Sequence, residues 1–161
     1  MQKKELSFSY EVYDNESQLA PEDARLLEEA RAATAKSWSP YSHFRVGAAA
    51  KLANGETVTG ANQENAAFPA GLCAEGVLLA TASSLYPGLP IDTLAVSYLN
   101  ENGPSDRPIS PCGICRQSLQ EFEQRTGRPI RLILGGQQGK VFIISQSGFL
   151  LPFAFSSDEL K

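Results

Sequence analysis

The stretch Val46-Gly47-Ala48-Ala49-Ala50-Lys51-Leu52-Ala53-Asn54-Gly55-Glu56-Thr57-Val58-Thr59-Gly60-Ala61 reads as two short strands around a turn. Asn54-Gly55 is a strong signal for a two-residue hairpin, because both residues tolerate the positive φ such a turn needs. Working outward, the chain alternates between helical and extended patterns. Upstream, Pro21-Glu22-Asp23 marks a helix start, with Pro in the first turn and acids at the positive end of the dipole. That helix is expected to run to about Ser37, with Leu26, Leu27, Ala30 and Ala33 on one face, and Ser39-Pro40-Tyr41-Ser42 ends it. Downstream, a loop from Asn62 to Leu72 leads into a helix over Cys73 to Leu85, apolar at Val77, Leu78 and Ala82. Thr93 to Leu99 reads as a strand, and Asn100 to Arg107 as a polar loop. Cys112 to Arg125 reads as a helix with Ile114, Leu119 and Phe122 inward. Arg131 to Leu134 and Val141 to Ser145 are strands around Gly135-Gly136 and Gly139. At the other end, Leu6, Phe8, Tyr10 and Val12 alternate with polar residues, which predicts a short, half-buried N-terminal strand. Helices interleaved with strands predict a single α/β sandwich.

The chain has 161 residues, 42% of them apolar and 20% charged, which fits one domain over residues 1–161. No apolar run approaches the length of a membrane span, so no membrane partner is expected. The net charge is −4, with no dense Lys/Arg run. Nucleic-acid binders carry a basic footprint that displaces counterions, so no nucleic-acid partner is expected and a small molecule is the better one. Met1-Gln2-Lys3-Lys4-Glu5 opens no apolar h-region, and cytoplasmic residence is expected. The cysteines number three, Cys73, Cys112 and Cys115. An odd count argues against a disulfide framework, and in a reducing compartment thiols serve metals or catalysis.

Two motifs carry chemistry: Cys73-Ala74-Glu75 and Pro111-Cys112-Gly113-Ile114-Cys115, each at a helix start directly after a loop. Three thiols with an open fourth position fit a catalytic zinc site, whereas structural zinc sites use four protein ligands. Helix N-termini favour the thiolate that binds metal. Zinc lowers the pKa of water, and Glu75, two residues from a ligand, is placed to take and return its proton. A lone Cys-x-x-Cys fits a redox pair or buried thiols equally well. The only histidine, His43, lies near aromatic residues and reads as a packing or hydrogen-bonding group.

Together the motifs match the x-x-Glu…Pro-Cys-x-x-Cys pattern of zinc deaminases, in a three-cysteine version. From about residue 21 onward the chain resembles the small homotetrameric cytidine deaminases. The resemblance rests on Tyr41-Ser42-His43-Phe44-Arg45-Val46-Gly47-Ala48-Ala49, Gly60-Ala61-Asn62-Gln63-Glu64-Asn65-Ala66, Cys73-Ala74-Glu75, Ile109-Ser110-Pro111-Cys112-Gly113-Ile114-Cys115-Arg116-Gln117 and Leu150-Leu151-Pro152. It implies a three-layer α/β/α sandwich with a mixed central sheet of about five strands, here with residues 1–20 as an N-terminal strand extension. It implies one Zn²⁺ per subunit on Cys73, Cys112 and Cys115, with Glu75 as the catalytic proton shuttle. The substrate would be a free pyrimidine nucleoside. Asn62 and Glu64 would bind the ribose 3′-hydroxyl, Phe44 would pack on the base, and the Ala74 N–H would meet the base carbonyl. Phe155 would reach the site of a neighbouring subunit in a homotetramer with sites at subunit interfaces. The reaction would convert cytidine and 2′-deoxycytidine to the uridines with release of ammonia, as in pyrimidine salvage.

Read without the resemblance, Asn62 and Glu64 share a face of an extended segment that also fits a polar loop surface. Phe44 and Phe155 also fit ordinary packing. Two other functions stand beside the main one. One is deamination of a different aminopyrimidine nucleoside, blasticidin-like or a modified cytidine. The other is a low-activity zinc-binding nucleoside sensor. The chain departs from the family at Gly76, where relatives carry an Arg that donates to the zinc thiolates. Three thiolates on Zn²⁺ leave a formal charge of −1, and without compensation the bound ion is a poorer Lewis acid. Arg116 and Arg45 are the candidate replacements. Blasticidin deaminases also lack this Arg, but they lack the Asn-x-Glu motif too. Phe68 stands where relatives often carry Tyr.

Overall fold

The computed structural model describes residues 1–160, and Lys161, the last residue of the expected unit, lies outside the described residues. The elements in order are β1 (Glu11–Tyr13), α1 (Pro21–Ala33), β2 (Phe44–Leu52), β3 (Thr57–Ala61), α2 (Ala74–Leu85), β4 (Ile91–Asn100), α3 (Gly113–Thr126), β5 (Arg131–Gly135) and β6 (Val141–Ile144). The strands form one mixed sheet of six in the order β1-β6-β5-β4-β2-β3. Only β4 and β5 pair parallel; every other pair is antiparallel. The five expected strands and the N-terminal strand are thus all present, and the helices cover both faces.

Alternation along the central strands builds the two cores. In β2, Ala48 and Ala50 face the α2/α3 layer, where Leu78, Leu119, Phe122, Leu94, Leu132 and Leu134 pack together. Ala49, between them, faces the α1 layer with Leu26, Leu27, Ala30, Ala95 and Ile133. Small residues in β2 and β3 let helix backbones lie directly on the sheet. A Cβ on Gly47 would sit 2.1 Å from the Ala30 carbonyl oxygen of α1. A Cβ on Gly60 would sit 2.4 Å from the Ala74 carbonyl oxygen and 2.6 Å from the Leu78 nitrogen of α2. Neither glycine can be replaced without moving a helix.

Four local expectations are corrected. The first helix ends its α geometry at Ala33 and continues as a 3-10 turn over Thr34–Lys36. The hairpin loop holds three residues, Ala53 to Gly55. The Gly55 N–H donates to the Leu52 carbonyl at 2.9 Å, the Leu52 N–H donates to the Glu56 carbonyl at 2.8 Å, and Gly55 alone takes positive φ, +90°. The N-terminal strand is short, and its alternating apolar residues miss the core. Tyr10 meets Phe142 edge-on and Phe8 stacks on Phe149 at the open margin of the sheet, so Leu6, Phe8, Tyr10 and Val12 stay exposed, while Tyr13, of opposite parity, packs toward the α1 core. Ile114 does not point inward but is 78% exposed. The buried stripe of α3 runs through Cys115, Leu119, Phe122 and Glu123, and a residue one step before Cys115 faces away from it.

The topology decides where the site must lie. Both β3 and β4 run antiparallel to β2, so they run parallel to each other and their C-terminal ends share one margin of the sheet. The segments leading into α2 and α3 emerge there, as does the start of β2 at Phe44. Such a margin is the usual binding edge of an α/β sheet.

Candidate active site

Cys73 is the N-cap of α2 and Cys112 the N-cap of α3, both in extended backbone and neither making a side-chain capping bond. Their sulfurs therefore sit where the first-turn amides of two helices leave positive partial charge unmet. Cys115 lies in the first turn of α3 and is buried, Cys73 is half-buried and Cys112 is exposed. The Sγ atoms of Cys73 and Cys112 are 3.5 Å apart, those of Cys112 and Cys115 3.6 Å, and all three lie within 4.8 Å of one another.

That spacing fits a single ion. Tetrahedral zinc with Zn–S bonds of about 2.3 Å places its sulfurs about 3.8 Å apart. Three soft thiolates are a donor set that suits zinc. The Cys73 thiol is pulled down to about 6 by hydrogen bonds from Cys115 and Cys112, against burial and the charge of Glu75. Cys115 moves the other way, upward, because its proton is shared with Cys73 and it is buried beside Glu75. The cluster thus gathers negative charge on the half-buried sulfur. Glu75 is 4% exposed, and burial is the main cause that raises its carboxyl. A carboxyl whose pKa is raised by burial suits proton transfer.

A cleft of about 370 Å³ opens over this cluster. Cys73, Ala74, Glu75 and Cys112 line it together with Phe44, Asn62 and Glu64, and with Val46, Phe68 and Leu72. Eight of the nine residues expected from the sequence are thus in the cleft or directly beneath it. Phe155 is not: its side chain is 59% exposed, and its carbonyl accepts from Gln117 Nε2 at 2.8 Å. Ala74 is the first residue of α2, so its N–H has no intrahelical acceptor. Phe44 stacks on the buried Tyr98 at 5.0 Å, which fixes its ring as a wall.

Asn62 is more than a polar loop residue. Its Oδ1 accepts from the Val46 N–H at 2.8 Å and from the Ser37 hydroxyl at 2.5 Å, and its Nδ2 donates to the Phe44 carbonyl at 2.9 Å. The side chain clasps β2 on both sides of Arg45 and keeps one N–H free. Glu64 accepts the Ser42 hydroxyl at 2.5 Å and the amides of Tyr41 and Ser42 at 2.9 and 3.3 Å. The Ser42 hydroxyl and then those amides lower its pKa, so it stays ionised. Sequence reading missed Ser37 and Ser42, whose partners lie 25 and 22 residues away with no local signature. It also gave no role to Ile109 and Ser110, which complete the cleft wall.

Neither candidate arginine is shown balancing the thiolates. Arg45 Nε pairs with Glu101 at 2.5 Å, and Arg116 donates to the Pro111 carbonyl at 2.8 Å and to the Leu150 carbonyl at 3.0 Å. Gly76 lies on a separate groove of about 620 Å³ between α2 and α3, and a Cβ there would meet no atom within 4 Å.

Fold and cleft define a class: an α/β/α enzyme scaffold with a three-thiol metal centre beside a buried carboxyl at the margin of a mixed sheet. The chain belongs to the cytidine and deoxycytidylate deaminase zinc-binding family, which it matches over residues 20–127. It is 35% identical over 136 residues to a cytidine deaminase of Halalkalibacterium halodurans, covering 84% of this chain and 96% of that protein. It is also 35% identical over 131 residues to a cytidine deaminase of Mycobacterium tuberculosis, covering 80% and 85%. Among solved structures it is similar to the cytidine deaminase of Burkholderia pseudomallei, with a TM-score of 0.71 and 35% identity over 81% of this chain and 97% of that one. Zinc is the ion of this family, and Cys73, Cys112 and Cys115 are the cluster able to hold it. Among the described residues, no helix is long and apolar enough to cross a membrane.

Proposed function

We propose that this chain deaminates cytidine and 2′-deoxycytidine hydrolytically: nucleoside and water give the corresponding uridine and ammonia. The observation that carries this reading is the single cleft in which the sulfur cluster, Glu75, Phe44 and the Asn62/Glu64 pair meet. Zinc on Cys73, Cys112 and Cys115 supplies Lewis acidity that brings the pKa of water toward neutrality. Glu75 would take one proton from that water and deliver it to ring N3 as the water oxygen bonds to C4, then take the proton of the new C4 hydroxyl and pass it to the amine, which leaves as ammonia when the C4–N4 bond breaks. Burial that raises the Glu75 carboxyl suits both directions of transfer. The Ala74 N–H donates to the base carbonyl, and Phe44, braced by Tyr98, covers the ring. The free N–H of Asn62 and the remaining lone pair of Glu64 hold the 3′-hydroxyl.

We further take residues 1–161 as one deaminase unit with 1–20 as its extension, cytoplasmic because three thiols must stay reduced. A homotetramer is supported by the exposed Phe68, Ile114, Phe153 and Phe155, apolar surface of the kind that subunit contacts cover. In it, Phe155 would complete a neighbour's cleft. The test is loss of cytidine absorbance with ammonia release by the purified protein. Glu75→Gln should keep its zinc and lose turnover. Zinc and nucleoside binding without ammonia from the unaltered protein would instead support a sensor. Faster turnover of blasticidin than of cytidine would support the antibiotic-type alternative.

A further inference from the structure

Glu64 lies in a loop, with no helix or strand to hold it. Its carboxylate is fixed entirely from the segment before β2. The amides of Tyr41 and Ser42 donate to Oε2, and the Ser42 hydroxyl donates to Oε1. The oxygen of that hydroxyl in turn accepts the N–H of Phe44 at 3.1 Å. The Phe44 amide thereby sets the rotamer of Ser42 and turns its one proton toward Glu64. The chain makes this turn through His43 at φ +54°, a left-handed conformation that a non-glycine residue keeps only where its surroundings hold it. Here the His43 N–H donates to the Ser39 carbonyl, and the His43 carbonyl accepts from the Glu101 N–H, both at 3.0 Å. A carboxylate offers about four acceptor sites. Three are occupied, so the direction of the fourth is set by the groups on the other three.

We propose that Ser42 is a positioning residue that aims the open lone pair of Glu64 at the 3′-hydroxyl of the sugar, and so sets nucleoside affinity without touching the substrate. The inference rests on the reading of Glu64 given under Proposed function. Both amide contacts fall on Oε2, so the Ser42 hydroxyl is the one protein group fixing Oε1. Carboxylate rotation about its terminal torsion is otherwise broad. Removing the hydroxyl leaves Oε1 to water and to that rotation. The Ser42 hydroxyl bonds Glu64 and the Phe44 N–H, not Glu75 or the sulfurs.

The experiment measures KM and kcat of the zinc-loaded enzyme for cytidine and for 3′-deoxycytidine, in the unaltered protein and in Ser42→Ala, Ser42→Gly and Ser42→Thr. Losing one aimed, charge-assisted hydrogen bond should raise KM for cytidine about tenfold in the Ala and Gly variants, with kcat changed less than about twofold. KM for 3′-deoxycytidine should be the same in all of them, because the hydroxyl that Ser42 serves is missing. Ser42→Thr should restore the cytidine KM. If the unaltered enzyme treats the two substrates alike, the sugar role of Glu64 fails, and this inference with it. If the unaltered enzyme discriminates and the Ala and Gly variants discriminate equally well, Glu64 keeps its role and Ser42 loses its own. Equal KM increases for both substrates make Ser42 a structural residue only and overturn the proposal. Two variants lacking the hydroxyl keep the test decisive should one of them fold poorly.

Discussion

Gly76 is where the family resemblance leads one to expect an arginine beside the thiolates. It stands three residues beyond Cys73, in the first turn of α2, and no cation hydrogen-bonds the three sulfurs among the described residues. Arg45 and Arg116 are engaged with Glu101 and with two backbone carbonyls. The formal −1 charge of three thiolates on Zn²⁺ therefore weakens the ion as a Lewis acid. A side chain can leave the helix here without a clash, since a Cβ at Gly76 meets nothing within 4 Å. Gly76→Arg should raise kcat for cytidine at unchanged zinc content, and steady-state kinetics with metal analysis checks it; no gain at equal zinc would refute this account of Gly76. Legibility in the sequence also divides at this scale. Cys73, Cys112, Cys115 and Glu75 were readable because two short motifs place them by local spacing at helix starts. Ser37 and Ser42 were not, because what they do depends on partners more than twenty residues away.

At the scale of elements, the site exists because α2 is laid against β3 with nothing between them. Gly60 permits this: a Cβ there would sit 2.4 and 2.6 Å from backbone atoms of Ala74 and Leu78, which have no flexible end to yield. Gly60→Ala should cost about 1–3 kcal/mol, as overpacking does, and should also displace Cys73 and reduce bound zinc. Gly76→Ala, in the same helix but over open space, should instead stabilise by about 1 kcal/mol through helix propensity and leave zinc unchanged. Thermal unfolding with zinc counts separates the two, and equal behaviour would contradict the packing argument. The glycines could be read as turn or strand residues from sequence, but the helix backbone pressed against each could not. Ile114 failed for a related reason. Its apolar side chain fits a helix, yet the face that α3 buries was set by Cys115, Leu119 and Phe122.

Across the whole molecule, the α/β sandwich and its strand order hold because alternation on β2, β4 and β5 feeds two cores at once. Leu27 is fully buried against the sheet, so Leu27→Ala should cost roughly 2–5 kcal/mol. Phe8→Ala should cost much less, since Phe8 is 42% exposed and only stacks on Phe149. Denaturant unfolding of the two variants would test that ranking, and a Phe8 cost as large as that of Leu27 would place the N-terminal segment in the core. Alternation alone made the segment look half-buried. What it could not reveal is that β1 is the edge strand, paired to β6 alone, where Val12 and the even-numbered residues before it stay exposed while Tyr13 turns toward the α1 core.

The central claim is that two helix starts, brought to one margin of the sheet by parallel β3 and β4, hold a single ion with three sulfurs. X-ray absorption at the zinc edge of the purified protein measures this directly. The account predicts one zinc per chain with three sulfurs at about 2.3 Å and one lighter neighbour. A shell of four sulfurs, fewer than three, or no zinc in the intact protein would contradict it.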